Sequence, residues 1–395
     1  MNEKLRIGYI PLVDAAALLV AVDLGFATME GLSIELVREV SWSNVRDKLN
    51  IGLFDAAHLL SPVAIASSLG LGHVRVPIVV PFILGVNGNA ITVSPGLFAA
   101  LSSAADGDLT DPRVSSRALA RLVSERKKRG LEPLTLGMTF PFSHHNYQLR
   151  FWMAAGGTDP DEDVRLVVLP PPYMVESLAS GHVDGFCVGA PWNSVAVDSD
   201  VGRILHFGCE IVANVSEKVL AVRQRWAEDN RDTLSALVRA LARAGKFVDD
   251  RNNHSAVAEV VARRIDVVPE LVVRTLSGNL KVAPGDAISR SDRYIVVGRE
   301  GASCPDPIQA AWAYAQIVRW AQAPLSEDLR AAAENVFRAD LYDAALGRKV
   351  ETRVPAARDK IGAFAGPGFD ARDIAGYLDA WRTRREHRPR LSVVR

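Results

Sequence analysis

Two stretches far apart in the chain share one frame: Leu49-x-x-Gly52-x-x-Asp55 leading to Pro62, and Leu178-x-x-Gly181-x-x-Asp184 leading to Pro191. A glycine takes the left-handed position that ends a helix, and an aspartate suits the tight turn into a following strand. Each frame also follows a strand–helix–strand start. Leu5 to Ile10 alternates as a strand, Pro11 to Asp14 reads as a turn, Ala15 to Phe26 as a helix and Leu32 to Val37 as a strand. Thr135 to Phe140, Tyr147 to Ala155 and Val164 to Leu169 repeat that layout, with a helix at Tyr173 to Ser180. The chain is therefore expected to build two similar α/β lobes.

Between the frames, Ser43 to Asn50 is expected as a helix, and Phe54 to Leu59, Ile78 to Leu84 and Ala90 to Ser94 as strands. Pro81 argues against the third of these, since proline cannot donate to a sheet ladder. From Leu220 onward the pattern is mostly helical, over Asp232 to Asp249, Ser255 to Arg264 and Pro307 to Gln322, and these helices are expected to return to the first lobe. The reading divides the chain into lobe 1 over 1–94 and 218–395 and lobe 2 over 95–217.

The balance of 46 basic and 46 acidic residues gives no overall field to attract nucleic acid or a membrane surface. A basic run, Trp381 to Arg390, suits a solvated end. The three cysteines are widely spaced, with no C-x-x-C pair, which fits a reducing compartment. The start moves straight into a strand without an apolar leader, and no run reaches about 18 apolar residues. A cytoplasmic protein without a membrane span is the expectation.

Local signatures of catalysis are missing. There is no G-x-S-x-G, H-E-x-x-H, G-x-x-x-x-G-K-[ST] or post-strand G-x-G-x-x-G. His144 and His145 are adjacent, so their side chains diverge and do not both reach one metal, although one can point into a site. Binding without catalysis, metal or cofactor is the expectation; two rigid lobes with a cleft and a few inward polar groups suffice for it.

Leu5-Arg6-Ile7-Gly8-Tyr9-Ile10-Pro11-Leu12, Ser41-Trp42-Ser43-Asn44-Val45-Arg46-Asp47, Asp55-Ala56-Ala57-His58, Asn87-Gly88-Asn89-Ala90-Ile91, Thr139-Phe140-Pro141 and Phe186-Cys187-Val188-Gly189-Ala190-Pro191-Trp192 together resemble the nitrate- and bicarbonate-binding components of ABC transporters. The resemblance implies a type II periplasmic-binding-protein fold, with two α/β lobes, a ligand cleft between them and a helical C-terminal part. It also implies a ligand set. Trp42 matches an indole donor, Asn89 stands where relatives often carry glutamine, His145 matches the histidine after Thr-Phe-Pro, and Lys218 matches the lysine that faces nitrate.

Nitrate only accepts hydrogen bonds, and these four side chains all donate. Taken singly, Trp42 or His145 suits a core, Asn89 a turn and Lys218 a solvated surface; their matched motifs join them. Helix amides after Asp14 and after Pro141 would add positive potential, with Asp14 competing for some of them as an N-cap. Ala190 stands where many relatives show glutamate, which predicts a site short of one carboxylate. Nitrate and nitrite both stay open.

The absent leader places the resemblance in the cytoplasmic, NasS-like nitrate/nitrite-sensor branch, which implies ligand-dependent release of an RNA-binding antiterminator partner. The alternative is the substrate-binding component of a nitrate, bicarbonate or sulfonate ABC transporter.

Overall fold

The computed structural model describes residues 4–285, 287–348 and 361–381. The strands in chain order are β1 (Leu5–Tyr9), β2 (Ile34–Arg38), β3 (Ala56–Leu60), β4 (Ile78–Asn87), β5 (Asn89–Val93), β6 (Thr135–Met138), β7 (Arg165–Val168), β8 (Gly185–Gly189), β9 (Arg203–Phe207), β10 (Val212–Ala213), β11 (Ser216–Arg223), β12 (Asn279–Lys281), β13 (Ile288–Arg290), β14 (Ile295–Val296) and β15 (Gly362–Ala363).

Two sheets organise the chain. The first runs β14-β4-β11-β3-β1-β2 and the second β7-β6-β8-β5-β9. With β14 set aside the orders correspond: three parallel strands, then two added antiparallel. The repeated frame explains part of this likeness. Asp55 Oδ2 accepts from the Arg6 amide at 2.8 Å, and Asp184 Oδ2 accepts from the Thr135 amide at 2.8 Å. Each aspartate thus ties the entry of its own sheet's third strand to the start of the central parallel strand. Gly52 and Gly181, at φ +83° and +71°, supply the left-handed step before it.

Each sheet also borrows a strand from the chain's passage between lobes. β4 ends at Asn87 (φ +60°), Gly88 (φ +95°) follows, and β5 begins at Asn89 in the second sheet. The return passes through Asn214 (φ +61°) into β11, which inserts between β3 and β4. Asn87 laces the two passages: its amide donates to Val215 O at 2.9 Å and its Oδ1 accepts from Val215 N at 3.2 Å.

Pro81 lies inside β4 after all. The ladder slips there, so that Val79 faces Val222 and Phe82 faces Leu220, and the bulge leaves the proline without a bond to make. The helix expected over Ala15 to Phe26 is instead a 3-10 turn at Val13–Ala15, a helix at Ala16–Asp23 and a short turn of helix at Phe26–Met29, interrupted by left-handed Gly25. Two further helices, Pro95–Ala104 and Pro112–Lys128, start on Ser94 and Asp111 caps followed by proline.

The helix Arg231–Asp249 packs on Ala16–Asp23, and Pro307–Arg319 packs on Ser61–Leu69 beside the first sheet. The chain then reaches back to the second sheet's side: β15 pairs with β10, and the Trp381 ring stands edge-on to Phe151 at 4.4 Å. Of the basic run, Arg382 to Arg390 lie outside the described residues. No helix among the described residues is long and apolar enough to cross a membrane.

Candidate functional site

Lys218 is the organising residue. A lysine almost never loses all contact with solvent unless its charge is paired, yet Lys218 is 0% exposed. Its Nζ lies 3.0 Å from Asp14 Oδ2 and 3.0 Å from Glu217 Oε1. Adjacent residues on a regular strand point to opposite faces, so Glu217 and Lys218 should diverge. They meet because β11 slips register against β4 on both sides of Lys218. Such bulges re-aim side chains, often beside a site.

Around this pair the four sequence-nominated residues come together. Asn89 Nδ2 donates to Glu217 Oε2 at 2.9 Å, and His145 Nε2 lies 3.4 Å from Glu217 Oε1. The Trp42 ring centroid is 5.5 Å from Lys218 Nζ. Trp42 opens the helix Trp42–Asn50, whose Ser41 cap accepts from Asn44 N. His145 sits in the first turn of the helix His144–Ala155, capped by Ser143, with its Nδ1 2.9 Å from Thr139 Oγ1. The helix thus begins later than Pro141, and Ser143 already takes the Asn146 amide.

Three acidic or basic partners escaped sequence reasoning. Asp14 is not a helix N-cap; its carboxylate faces Lys218 and accepts from His58 Nε2 at 2.9 Å. His58 stacks obliquely on Trp42 at 5.4 Å. Glu217 gathers Lys218, Asn89, His145 and His144, whose Nδ1 is 3.3 Å from Oε2 without hydrogen-bond alignment. The site is therefore not short of a carboxylate, despite Ala190: Asp14 and Glu217 supply two. Ala190 instead joins the lobes, its carbonyl accepting from Val13 N at 2.9 Å. The available signal was a polar residue inside an apolar run, as Asp14 and His58 are, while Glu217, between Ser216 and Lys218, carries none.

Small residues make the room. A Cβ on Gly85 would stand 3.3 Å from Asp14 Cβ, and one on Gly189 3.2 Å from Asp14 Oδ2 and 3.7 Å from Lys218 Nζ. One on Gly208 would fall 1.8 Å from Asn89 Oδ1.

The electrostatics follow from burial and pairing. Burial alone would raise Asp14 and Glu217, but Lys218 with His58, and Lys218 with His145 and His144, hold both carboxyls below their usual range. Burial opposes the charge on Lys218, and Asp14 and Glu217 reverse that, so the ammonium is held firmly. Burial depresses His58, and it pushes His145 down to about 4. At neutral pH both rings are uncharged.

Several buried polar atoms here have no hydrogen-bond partner: Trp42 Nε1, Asn89 Oδ1, His144 Nδ1 and Nε2, His145 Nε2 and Gln148 Oε1. Buried polar atoms are overwhelmingly paired in folded proteins, so this concentration marks a place where something else is met. Among the described residues no group of three or more His, Cys, Asp or Glu is arranged to hold a metal ion.

Comparison with known proteins agrees with the architecture. A nitrate import ATP-binding protein, NrtC, of Synechocystis is 31% identical over 392 residues, covering 97% of this chain and 56% of that protein. The chain thus spans little more than half of that relative. The nitrate/nitrite binding protein NrtA of Synechococcus elongatus is 30% identical over 390 residues, covering 95% of this chain and 86% of the relative. The crystal structure of the periplasmic nitrate-binding protein NrtA from Synechocystis superposes with a TM-score of 0.85 at 26% identity, covering 96% of this chain and 98% of that one. The fold is the periplasmic-binding-protein fold. The profile of the NMT1-like family matches residues 1–262, and with its two matched sheets and the cluster at their crossing the chain belongs to that family.

Proposed function

We propose that this protein is a receptor whose two lobes enclose nitrate or nitrite at the Lys218 cluster. The reading rests above all on unpaired buried polar nitrogens, Trp42 Nε1, the His144 ring nitrogens and His145 Nε2, gathered about a fully buried ammonium. An acceptor-only monoanion is the ligand such donors complement. The likeness to nitrate/nitrite-binding relatives supports the same ligand class.

The names of those relatives favour the role of substrate-binding component of an ABC-type importer. The cytoplasmic sensor role expected from the sequence would use the same site, with ligand-driven closure changing the surface offered to an antiterminator-type partner.

A thermal-shift panel of nitrate, nitrite, bicarbonate and an alkanesulfonate tests the ligand class. Nitrate or nitrite is expected to raise the melting temperature, and Trp42→Phe, which deletes one neutral donor, to weaken binding about fivefold, from a loss of about 1 kcal/mol. Stabilisation by the sulfonate alone would sink the reading. A pull-down with an antiterminator-type protein separates the roles: a complex released by nitrate supports the sensor, and no complex supports the importer.

A further inference from the structure

The charge in the cluster does not favour an anion as it stands. Asp14 and Glu217 carry two negative charges, Lys218 carries one positive charge, and all three side chains are fully buried. The other titratable groups facing them are His58 from β3, His144 and His145 from the helix His144–Ala155, Cys187 from β8 and Tyr294 beside β14. Burial pushes the Cys187 thiol and the Tyr294 phenol up, so both stay neutral. With the His58 and His145 rings uncharged, Asp14, Glu217 and Lys218 together hold one negative charge in excess. A monoanion would double that excess where water cannot screen it.

One neighbour is built to correct this. His145 Nε2 stands 3.4 Å from Glu217 Oε1 without hydrogen-bond alignment, which leaves it to face an incoming anion, and its Nδ1 meets Thr139 Oγ1 at 2.9 Å. A hydroxyl both donates and accepts. Thr139 therefore serves the neutral ring as a donor to Nδ1 and the charged ring as an acceptor from Nδ1–H, without any change of position. The imidazolium would stand beside Glu217 and the incoming anion together.

We propose that the site takes up its anion together with a proton from solvent, and that the proton goes to His145 Nδ1, with Glu217 and Thr139 as positioning residues. This rests on the oxyanion-receptor reading above. It makes affinity a function of pH, because ligand and proton then bind as linked partners. The N–H bond forms at Nδ1, the Thr139 hydroxyl rotates to accept from it, and the buffer supplies the proton.

Isothermal titration of the whole chain with sodium nitrate, in phosphate and in Tris at one pH, counts protons from the dependence of heat on buffer ionisation. With the ligand-free ring at about 4, the uptake is expected to approach one proton per nitrate from about pH 6, and the Kd to weaken about tenfold per pH unit until the pH passes the ring's higher value in the complex. His145→Gln, which keeps an amide donor but cannot charge, should bind with no proton uptake and a flat pH profile, while His144→Gln should still take up the proton. Thr139→Val should lower the uptake at a given pH, because Nδ1–H then lacks its acceptor. Nitrate binding by the wild type without proton exchange and with constant Kd would overturn the proposal and leave the receptor reading intact. Proton uptake lost in His144→Gln but kept in His145→Gln would overturn the assignment to His145. No heat with nitrate or nitrite at any pH would remove the receptor reading itself.

Discussion

Replacing Lys218 by methionine removes the cation and keeps most of the side-chain volume. In the native protein its Nζ neutralises two carboxylates at 3.0 Å, all three side chains out of contact with solvent. Without it, Asp14 and Glu217 face each other in a dry site. Breaking a buried pair by removing one partner costs about 3–5 kcal/mol, because an uncompensated charge stays behind. The ligand-free variant should therefore lose about that much in urea unfolding followed by tryptophan fluorescence at pH 7.5. Two controls fix the cause. Adding Glu217→Gln removes one orphaned charge and should recover about half of the loss, since contacting residues do not add independently. Lowering the pH should shrink the loss too, because His58, 2.9 Å from Asp14 Oδ1, can then take over as the counter-charge. A loss below about 1 kcal/mol, or a double variant no more stable than the single one, would refute the account of Lys218 as the keystone of a buried charge cluster.

Two further outcomes follow from the geometry. Gly208→Ala forces a Cβ into the space of Asn89 Oδ1 and should displace the amide from Glu217; a bond to a charged group is worth about 1.5–3 kcal/mol, so the variant should lose at least about that much in urea unfolding, and unchanged stability would contradict it. His206, bonded to Ser115 at 2.6 Å, is held by burial down to about 3, so the unfolded chain binds a proton that the native one refuses at lower pH than about 6.5. Its contribution is full above that value and is lost as pH falls toward about 3. His206→Gln should lose less stability than wild type between about pH 6.5 and 4, and parallel curves would argue against it.

The duplicated frame carried most of the legible architecture, because Asp55 and Asp184 perform one local task, anchoring the first strand of their lobes, and local tasks leave local spacing. The four nominated donors were legible only through motifs; nothing in the spacing between Trp42, Asn89, His145 and Lys218 says that they meet. Glu217 and Asp14 were missed for a physical reason. Their roles depend on the register slip in β11 and on the room that Gly189, lacking a Cβ, leaves for the Asp14 carboxylate, both set by tertiary pairing. The helices Pro95–Ala104 and Pro112–Lys128 went unassigned although Ser94-Pro95 and Asp111-Pro112 are cap signals; the first is built of small residues with little periodicity to read. Pro81 misled in the other direction, since a bulge removed the cost that argued against it.

The bend at Asn87 and Gly88 adjoins Asn89, and Asn214 precedes Glu217 and Lys218 by only a few residues. The pivots and the ligand groups thus occupy the same short pieces of backbone. A rotation of one lobe on the other changes the Asn89–Glu217 separation directly, with no lever in between. On the oxyanion-receptor reading, affinity and motion are then one adjustable quantity: a substitution that resets the resting angle resets the binding constant without touching a single donor.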